Sequence, residues 1–347
     1  MPSLSAKYLT SLSFGRQALS TTRRLGEARG RQQLFVHQYP EQLEQLRTHA
    51  MVESTESSSR IEGVVAAPWR VEDLVVRHTA PRDRSEQEIA GYRDALQLIH
   101  ESHAHMPFST NIVLQMHSVL NRYLPSSGGR WKPADNEIVE RDSAGRTVRV
   151  RFTPVPAAVT PAAMDRLTTD YRNASERNLA DSLVLVPLAV LDFLCIHPFR
   201  DGNGRIARLL SQLLMYHADY RVGRYVSLER IIEESRATYY ETLEESSQGW
   251  HEDTHDPHPW LQYFWGTLLR AYREFEERVE TLKGSKTDQV RQAVMRRIGP
   301  FTISELEGDC PGVSRDMVRH VLRQMKGSGA VAVEGRGPGA RWRRTEH

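Results

Sequence analysis

A mainly helical chain ending in a small α+β unit is what this sequence predicts, and three observations predict it. Apolar residues recur at helical spacing through most of residues 85–282, as in Ile89, Tyr92, Leu96 and Ile99. Strand-like alternation is confined to two short places, Glu137–Phe152 and Ala330–Arg344. After Leu282 the composition shifts. Residues 285–347 hold 12 Lys/Arg against 7 Asp/Glu, a net of +5, whereas the whole chain has 46 against 44.

Length and composition bound the rest. A chain of 347 residues can hold two or three domains with a core in each. Its 39% hydrophobic and 26% charged residues are those of an ordinary soluble protein, and a net charge of +2 forces no polyanion on the chain as a whole. Cys195 and Cys310 cannot make a disulfide framework, and their spacing does not suggest zinc, so a reducing cytoplasm is the expected compartment. Met1–Arg24 lacks the apolar stretch of a secretory signal. The apolar run Leu183–Ile196 falls short of the ~20 residues that cross a bilayer, so no membrane partner is expected.

Taken in order, residues 1–50 are rich in Arg and Gln and helical around Pro40–Ala50. Met51–Gly63 by itself reads as a serine-rich helix start or turn closed by a glycine cap. Ser85–Ser102 and Thr110–Tyr123 are helices, and Gly128-Gly129 breaks the pattern. Glu137–Arg141 and Arg146–Phe152 form a β-hairpin about Asp142-Ser143-Ala144-Gly145. Helices follow at Pro161–Glu176, Leu183–Ile196, Ile206–His217 and Leu228–Ser247. His251 and His255 are one helical turn apart, as metal ligands on a helix are. Pro257 and Pro259 stop a helix through His258, and a polar loop accounts better for the cluster with Asp253 and Asp256. Trp260–Leu282 is a long helix with a solvated, Glu-rich end, and Gly284-Ser285-Lys286 is a linker.

In the last segment, Gln289–Ile298 is a helix, Thr302 caps a second at Ile303–Glu307, and Pro311-Gly312 turns the chain. Ser314 caps a third helix, Arg315–Lys326. The strands Ala330–Glu334 and Ala340–Arg344 flank Gly335-Arg336-Gly337-Pro338-Gly339. Three helices and a hairpin resemble a winged helix. In one use of that fold Arg315, Arg319 and Arg323 of the third helix and Arg336 of the wing meet DNA. In the other the unit binds protein.

The chemistry concentrates in His197-Pro198-Phe199-Arg200-Asp201-Gly202-Asn203-Gly204-Arg205-Ile206-Ala207-Arg208. This is a tight loop opening a helix, with Gly202 and Gly204 letting the backbone turn and a ligand approach it. The free amides and dipole of the helix start form an anion site, and phosphate is the expected anion. Arg205 and Arg208, one turn apart, can both reach that anion. Asp201 is a hard oxygen ligand suited to Mg²⁺, and His197 is a base just before the cradle.

These residues resemble the Fic-domain signature His-x-Phe-x-Asp/Glu-Gly-Asn-Gly-Arg-x-x-Arg, with every fixed position present. The resemblance implies a Fic helical core with the hairpin as a flap over the active site, holding the target by strand addition. It implies transfer of AMP from ATP to a Ser, Thr or Tyr hydroxyl of a protein. His197 would be the base, Asp201 the Mg²⁺ ligand, and Gly202, Asn203 and Gly204 the cradle of the α- and β-phosphates through main-chain and amide donors. Arg205 would clamp the β-phosphate region, Arg208 the γ-phosphate, and Phe199 would pack inward. Phosphorylating Doc-like relatives alter the Gly-Asn-Gly-Arg portion, which is intact here. Arg236-x-x-Tyr239-Tyr240-x-x-Leu243 resembles a further stretch of many Fic cores, in which a tyrosine can wall the adenine pocket.

Beside this signature, Ser58, Glu62 and Gly63 resemble the Ser/Thr-x-x-x-Glu-Gly/Asn inhibitory helix of the same family, whose Glu would pair with Arg208. Residues 1–80 are then an N-terminal helical region with that helix, 81–284 the Fic domain and 285–347 the winged-helix-like domain. Two alternatives stay open: a DNA-binding transcriptional regulator whose Fic core senses nucleotide, and a hydrolase removing AMP with Glu62 positioning water. A homodimer is also compatible with the sequence.

Overall fold

Capping residues and glycines punctuate the helices more sharply than hydrophobic periodicity alone suggests. The computed structural model describes residues 2–38, 40–141, 146–282, 286–297, 299–310, 313–335 and 340–345. They form α1 (Ala6–Ser11), α2 (Arg16–Gln38), α3 (Pro40–Ile61), α4 (Pro68–Val76), α5 (Arg84–Ser102) and α6 (Thr110–Leu120). A hairpin of β1 (Ile138–Arg141) and β2 (Thr147–Phe152) follows. Next come α7 (Thr160–Glu176), α8 (Ser182–Ile196), α9 (Asn203–His217), α10 (Leu228–Glu234), α11 (Arg236–Ser247) and α12 (His258–Leu282). The chain closes with α13 (Lys286–Arg296), α14 (Ile303–Gly308), α15 (Arg315–Gly327), β3 (Val331–Glu334) and β4 (Arg341–Arg344). The turns expected at 142–145, 311–312 and 336–339, the wing's Arg336 and residues 284–285 of the linker lie outside the described residues.

The chain divides into two compact units, Met1–Leu34 with Leu43–Phe275, and Phe35–Gln42 with Glu276–His347. In the first, α8 is the central helix: Leu183–Phe193 are all buried, which is why this run is apolar on every side. Asp181 caps its start, accepting from Leu183 N–H at 2.8 Å. α9 packs beside it, presenting Ile206, Leu209, Leu210 and Leu213 to the core.

Two stretches differ from the expectation. Pro40–Ile61 is one continuous helix: inside it Ser59 Oγ donates to Thr55 O at 2.8 Å and Ser58 Oγ accepts from Arg208 Nε at 3.0 Å, and Gly63, at φ +81°, supplies the left-handed stop. Val64 N–H reaches back to Ser59 O at 2.9 Å across that turn. Leu228–Ser247 is two helices, because Ser235 leaves helical geometry (φ −116°, ψ 29°) with its hydroxyl on Ile231 O.

β1 and β2 pair antiparallel, with Val139 opposite Val150 and Glu140 opposite Arg149. In the second unit, α13, α14 and α15 enclose Val290, Val294, Leu306, Val318, Val321 and Leu322, closed by Val331 and Trp342 of the β3–β4 hairpin. Phe301 adds a short antiparallel bridge to Trp342. A capping box, Thr302 with Glu305, starts α14, and Ser314 caps α15. No helix among the described residues is long and apolar enough to cross a membrane.

Candidate active site

Between α8 and α9 the loop 197–202 turns at two left-handed residues, His197 (φ +50°) and Gly202 (φ +83°). His197 is the C-cap of α8, its N–H returning to Phe193 O at 2.9 Å. Its Nδ1 lies 3.2 Å from Leu194 O. A carbonyl only accepts, so Nδ1 carries the proton and Nε2 is left as a base. Burial pushes the His197 pKa down to about 4, against a smaller upward pull from that hydrogen bond, so the ring is neutral at pH 7.

Asn203 locks the loop from inside. Its Oδ1 accepts from Phe199 N–H at 2.9 Å and its Nδ2 donates to Phe199 O at 2.8 Å. The side-chain amide expected among the phosphate donors is thus engaged by the loop itself, and the main-chain N–H of Asn203, in the first turn of α9, remains to face a ligand. Lys132 and Asn136 clasp the loop from outside: Lys132 N–H donates to Pro198 O at 2.8 Å, Lys132 Nζ to Ile196 O at 3.1 Å, and Asn136 Nδ2 to Phe199 O at 3.2 Å. Phe199 is fully buried, face to face with His117 at 3.7 Å and near Trp131 at 5.4 Å.

The two signature arginines point to different partners. Arg205 Nη1 donates to Glu88 Oε2 at 2.8 Å with both groups buried, and its Nη2 is 3.6 Å from Asp201 Oδ1. Its guanidinium does not line the cleft; it braces Asp201 against α5. Asp201 is exposed, and its Oδ1 also accepts from Gly202 N–H at 2.6 Å. One accessible carboxylate at a helix start fits Mg²⁺, which binds through one or two carboxylates and completes its octahedron with water and substrate phosphates. Arg208, buried in α9, meets α3: its Nε donates to Ser58 Oγ at 3.0 Å, and its Nη2 to Ser58 O at 3.1 Å and Glu62 Oε1 at 2.8 Å. Burial works against the Arg208 charge, yet the Glu62 carboxylate outweighs it and the pKa is raised. Arg208 Nη1 is buried without a partner.

Glu62 does more than touch the arginine. A methyl group at Gly204 would come within 2.5 Å of Glu62 Oε1, so the carboxylate lies against the Gly204 backbone, in the first turn of α9. It stands at the anion site of that helix start. The cleft it enters has a volume of about 230 Å³. His197, Asp201, Gly202 and Gly204 form its floor, and Ile138, Arg151 and Phe152 bring in the hairpin. Tyr240 and Leu243 of α11 supply the opposite wall; Tyr239 also borders the cleft but is buried, edge-on to Trp260 at 5.8 Å. Glu244 of α11 ties the hairpin down through Arg149 and Arg151.

Sequence reasoning missed His117, Lys132, Asn136 and Glu88. Only His117 left a signal, a polar ring on the face that carries Val113 and Leu120. The His251, His255 and His258 rings go to Thr153 O, Ser3 Oγ and Asp256, and no group of metal-binding side chains occurs among the described residues.

Residues 107–215 match the Fic/DOC family. The chain is 30% identical over 188 residues to the protein adenylyltransferase fic-1 of Caenorhabditis elegans, 52% of this chain and 32% of that one, and 29% identical to its Caenorhabditis briggsae counterpart. The match spans about a third of the length of these relatives. In fold, the chain resembles a Fic family protein from Desulfovibrio desulfuricans G20, with TM-score 0.64 and 22% identity over 97% of this chain and 98% of that one. It also resembles residues 134–508 of Caenorhabditis elegans Fic-1, with TM-score 0.60 and 21% identity over 76% and 74% of the two chains. The helical core that carries the His197–Arg208 loop is a Fic domain.

Proposed function

We propose that the chain is a protein adenylyltransferase, transferring AMP from ATP to a Ser, Thr or Tyr hydroxyl of a protein and restrained by its own Glu62. The observation that carries this is one cleft holding a neutral imidazole with a free Nε2 and an open helix start with a carboxylate seated in it. His197 Nε2 takes the proton as the target oxygen bonds to the α-phosphorus; the bond to the bridging oxygen breaks and pyrophosphate leaves. The first amides of α9, at Asn203 and Gly204, hold phosphate oxygens, and Arg208 clamps the γ-phosphate once Glu62 withdraws. Asp201 would hold Mg²⁺, which would supply positive charge to offset that of the pyrophosphate. The β1–β2 hairpin edges the cleft and takes the target segment.

The test is incubation of wild type and Glu62→Gly with α-³²P-labelled ATP and protein acceptors. Label is expected on protein, far more with Glu62→Gly. Label absent from both overturns the reading, and AMP released from pre-labelled protein assigns the site to hydrolysis.

A second reading concerns residues 285–347. Arg319, 3.5 Å from the exposed Asp316 carboxylate of the same helix, and Arg323 are exposed on α15, whereas Arg315 is tied to Glu307 of α14 at 2.8 Å. Such a solvated basic face suits a phosphate backbone, so we assign this unit to double-stranded DNA. Retention on DNA should weaken steeply with salt, and Arg319→Ala with Arg323→Ala should reduce the log–log slope by ~1 for each phosphate contact removed. No retention at low salt assigns the unit to protein recognition.

A further inference from the structure

We propose that His117 is a positioning residue for the active-site loop: its ring fixes the Asp201 peptide and thereby aims the first amides of α9 at the nucleotide. The inference rests on the adenylyl-transfer reading for its kinetic arm and on geometry alone for the rest.

His117 comes from α6, far from the signature in sequence. Gly129 N–H donates to its Nδ1 at 2.9 Å, so that nitrogen carries no proton. The proton is on Nε2, which donates to Asp201 O at 3.2 Å, a group that can only accept. Both ring nitrogens are used and the tautomer is determined by its partners. The ring face is fixed as well, lying 7° from parallel to Phe199 at 3.7 Å. One side chain thus holds the loop at two points, Phe199 and the Asp201 carbonyl.

The turn that supplies the Gly129 N–H is built to reach the ring. A methyl group at Gly128 would lie 2.2 Å from His117 O, and Gly129 sits at φ +78°. Only glycines allow this turn so close to α6. The Asp201–Gly202 peptide that His117 holds is the hinge of the cradle. On one side is the Asp201 carboxylate; on the other is Gly202, the left-handed N-cap whose dihedrals set the direction of the amides at Asn203 and Gly204. Rotation of that peptide would move both together, and misplacing a reacting group by an ångström costs ~10²-fold in rate.

Two near-isosteric substitutions separate this role from simple packing. In His117→Gln the amide nitrogen reaches the place of the imidazole Nε2 and keeps the donor to Asp201 O. In His117→Asn the shorter side chain keeps an acceptor for Gly129 N–H and loses that donor. Both are made in the full chain carrying Glu62→Gly, with thermal melting recorded alongside.

The expected result is labelling within ~10-fold of the parent for Gln and a loss of ~10²-fold in kcat for Asn, with a smaller change in KM for ATP. ¹⁵N NMR of the parent should show Nδ1 unprotonated and Nε2 protonated. ATP with Mg²⁺ should shift the Asn203 and Gly204 amides in the parent and in His117→Gln but not in His117→Asn. Equal kinetics for Gln and Asn, a protonated Nδ1, or ATP-induced Asn203 and Gly204 amide shifts in His117→Asn as large as in the parent would overturn the proposal. A parent that labels no protein overturns adenylyl transfer instead, and the tautomer and amide shifts still decide the role of His117.

Discussion

His197 owes its chemistry to ending a helix in the left-handed region, which turns Nδ1 back onto Leu194 O and leaves Nε2 for the cleft. If the proposed transfer is right, replacing it with Ala should cost ~10²–10⁴-fold in transfer while ATP binding, read by calorimetry, stays nearly unchanged, because in that reaction the ring meets the hydroxyl and not the phosphates. A variant with wild-type rates would remove His197 from the mechanism. Its folded pKa is lowered from 6.5 to about 4, so protonation opposes folding as pH falls through that window and the base is intact above it. A ring titration by NMR should show a midpoint well below pH 6; one near 6.5 would contradict the burial argument. At this scale the sequence placed His197, Asp201, Gly204 and Arg208 on one loop and helix start, because a contiguous motif carries its own geometry. It did not reveal that Arg205 faces Glu88 or that Asn203 ties the loop. Spacing on a helix says which residues share a face, but the partner 117 positions away is set by tertiary packing.

At the scale of elements, α3 meets the site with a mostly polar face. Between Ala50 and Ile61 its buried positions are Ser54, Thr55, Ser57, Ser58 and Ser59, and three of those hydroxyls have no partner. Such a face buries little apolar area and leaves polar groups unsatisfied, so polar contacts hold the helix over the site. One is Glu62 with Arg208; another is Arg60 Nε with Glu233 Oε1 of α10 at 2.9 Å. Glu62→Gly should raise labelling well above wild type, and adding Arg208→Ala should return it near zero, since the proposed γ-phosphate clamp is then gone. Activity surviving in that double variant would sink the role of Arg208. The Arg60 pair is partly exposed and worth ~1 kcal/mol at most. Arg60→Gln should therefore raise wild-type labelling only a few-fold and leave Glu62→Gly unchanged; an equal effect in both backgrounds would show that Arg60 acts elsewhere. The serine run looked in sequence like a helix start because serine favours caps. Its position inside a helix makes sense only once α5 and α9 are packed against it.

At the scale of the molecule, the sequence yielded the helical class and the order of most elements but not what joins distant segments. α2 is hidden in the Arg- and Gln-rich first 50 residues, where apolar periodicity is thin, and α4, with Val71, Leu74 and Val75 on one face, is only nine residues long. The contact that closes the first unit was equally hidden. Ser3 Oγ donates to Asp192 Oδ1 at 2.5 Å on α8, Trp250 Nε1 donates to the same oxygen at 2.6 Å, and His255 Nε2 meets Ser3 Oγ at 2.9 Å. Tyr8 stacks on His255 at 4.6 Å and donates its hydroxyl to His255 O. Asp192 thus holds the start of the chain and the segment after α11 onto the helix that ends in His197. It is fully buried, and burial raises its pKa from 3.8 to about 6 against the lowering effect of the Ser3 and Trp250 donors. A carboxyl whose folded pKa is raised favours folding while protonated, below about 3.8, and that advantage is lost as pH climbs through 6. Neutral His255, its pKa lowered by burial to about 4, works in the opposite direction over much of the same range, so the wild-type profile alone does not isolate Asp192. The difference between wild type and Asp192→Asn does. Asn keeps an oxygen for Ser3 and Trp250 and cannot ionise. Relative to wild type, its stability should rise by a few kcal/mol between pH 4 and pH 7.5, read as several degrees in melting temperature. Part of the absolute gain is offset by the new amide protons, because Asp192 Oδ2 has no partner that would accept one, but this cost is constant with pH and leaves the slope intact. A difference in melting temperature that stays flat from pH 4 to 7.5 would mean that Asp192 titrates alike in the folded and unfolded chains, and that its buried charge does not oppose the closure of this unit.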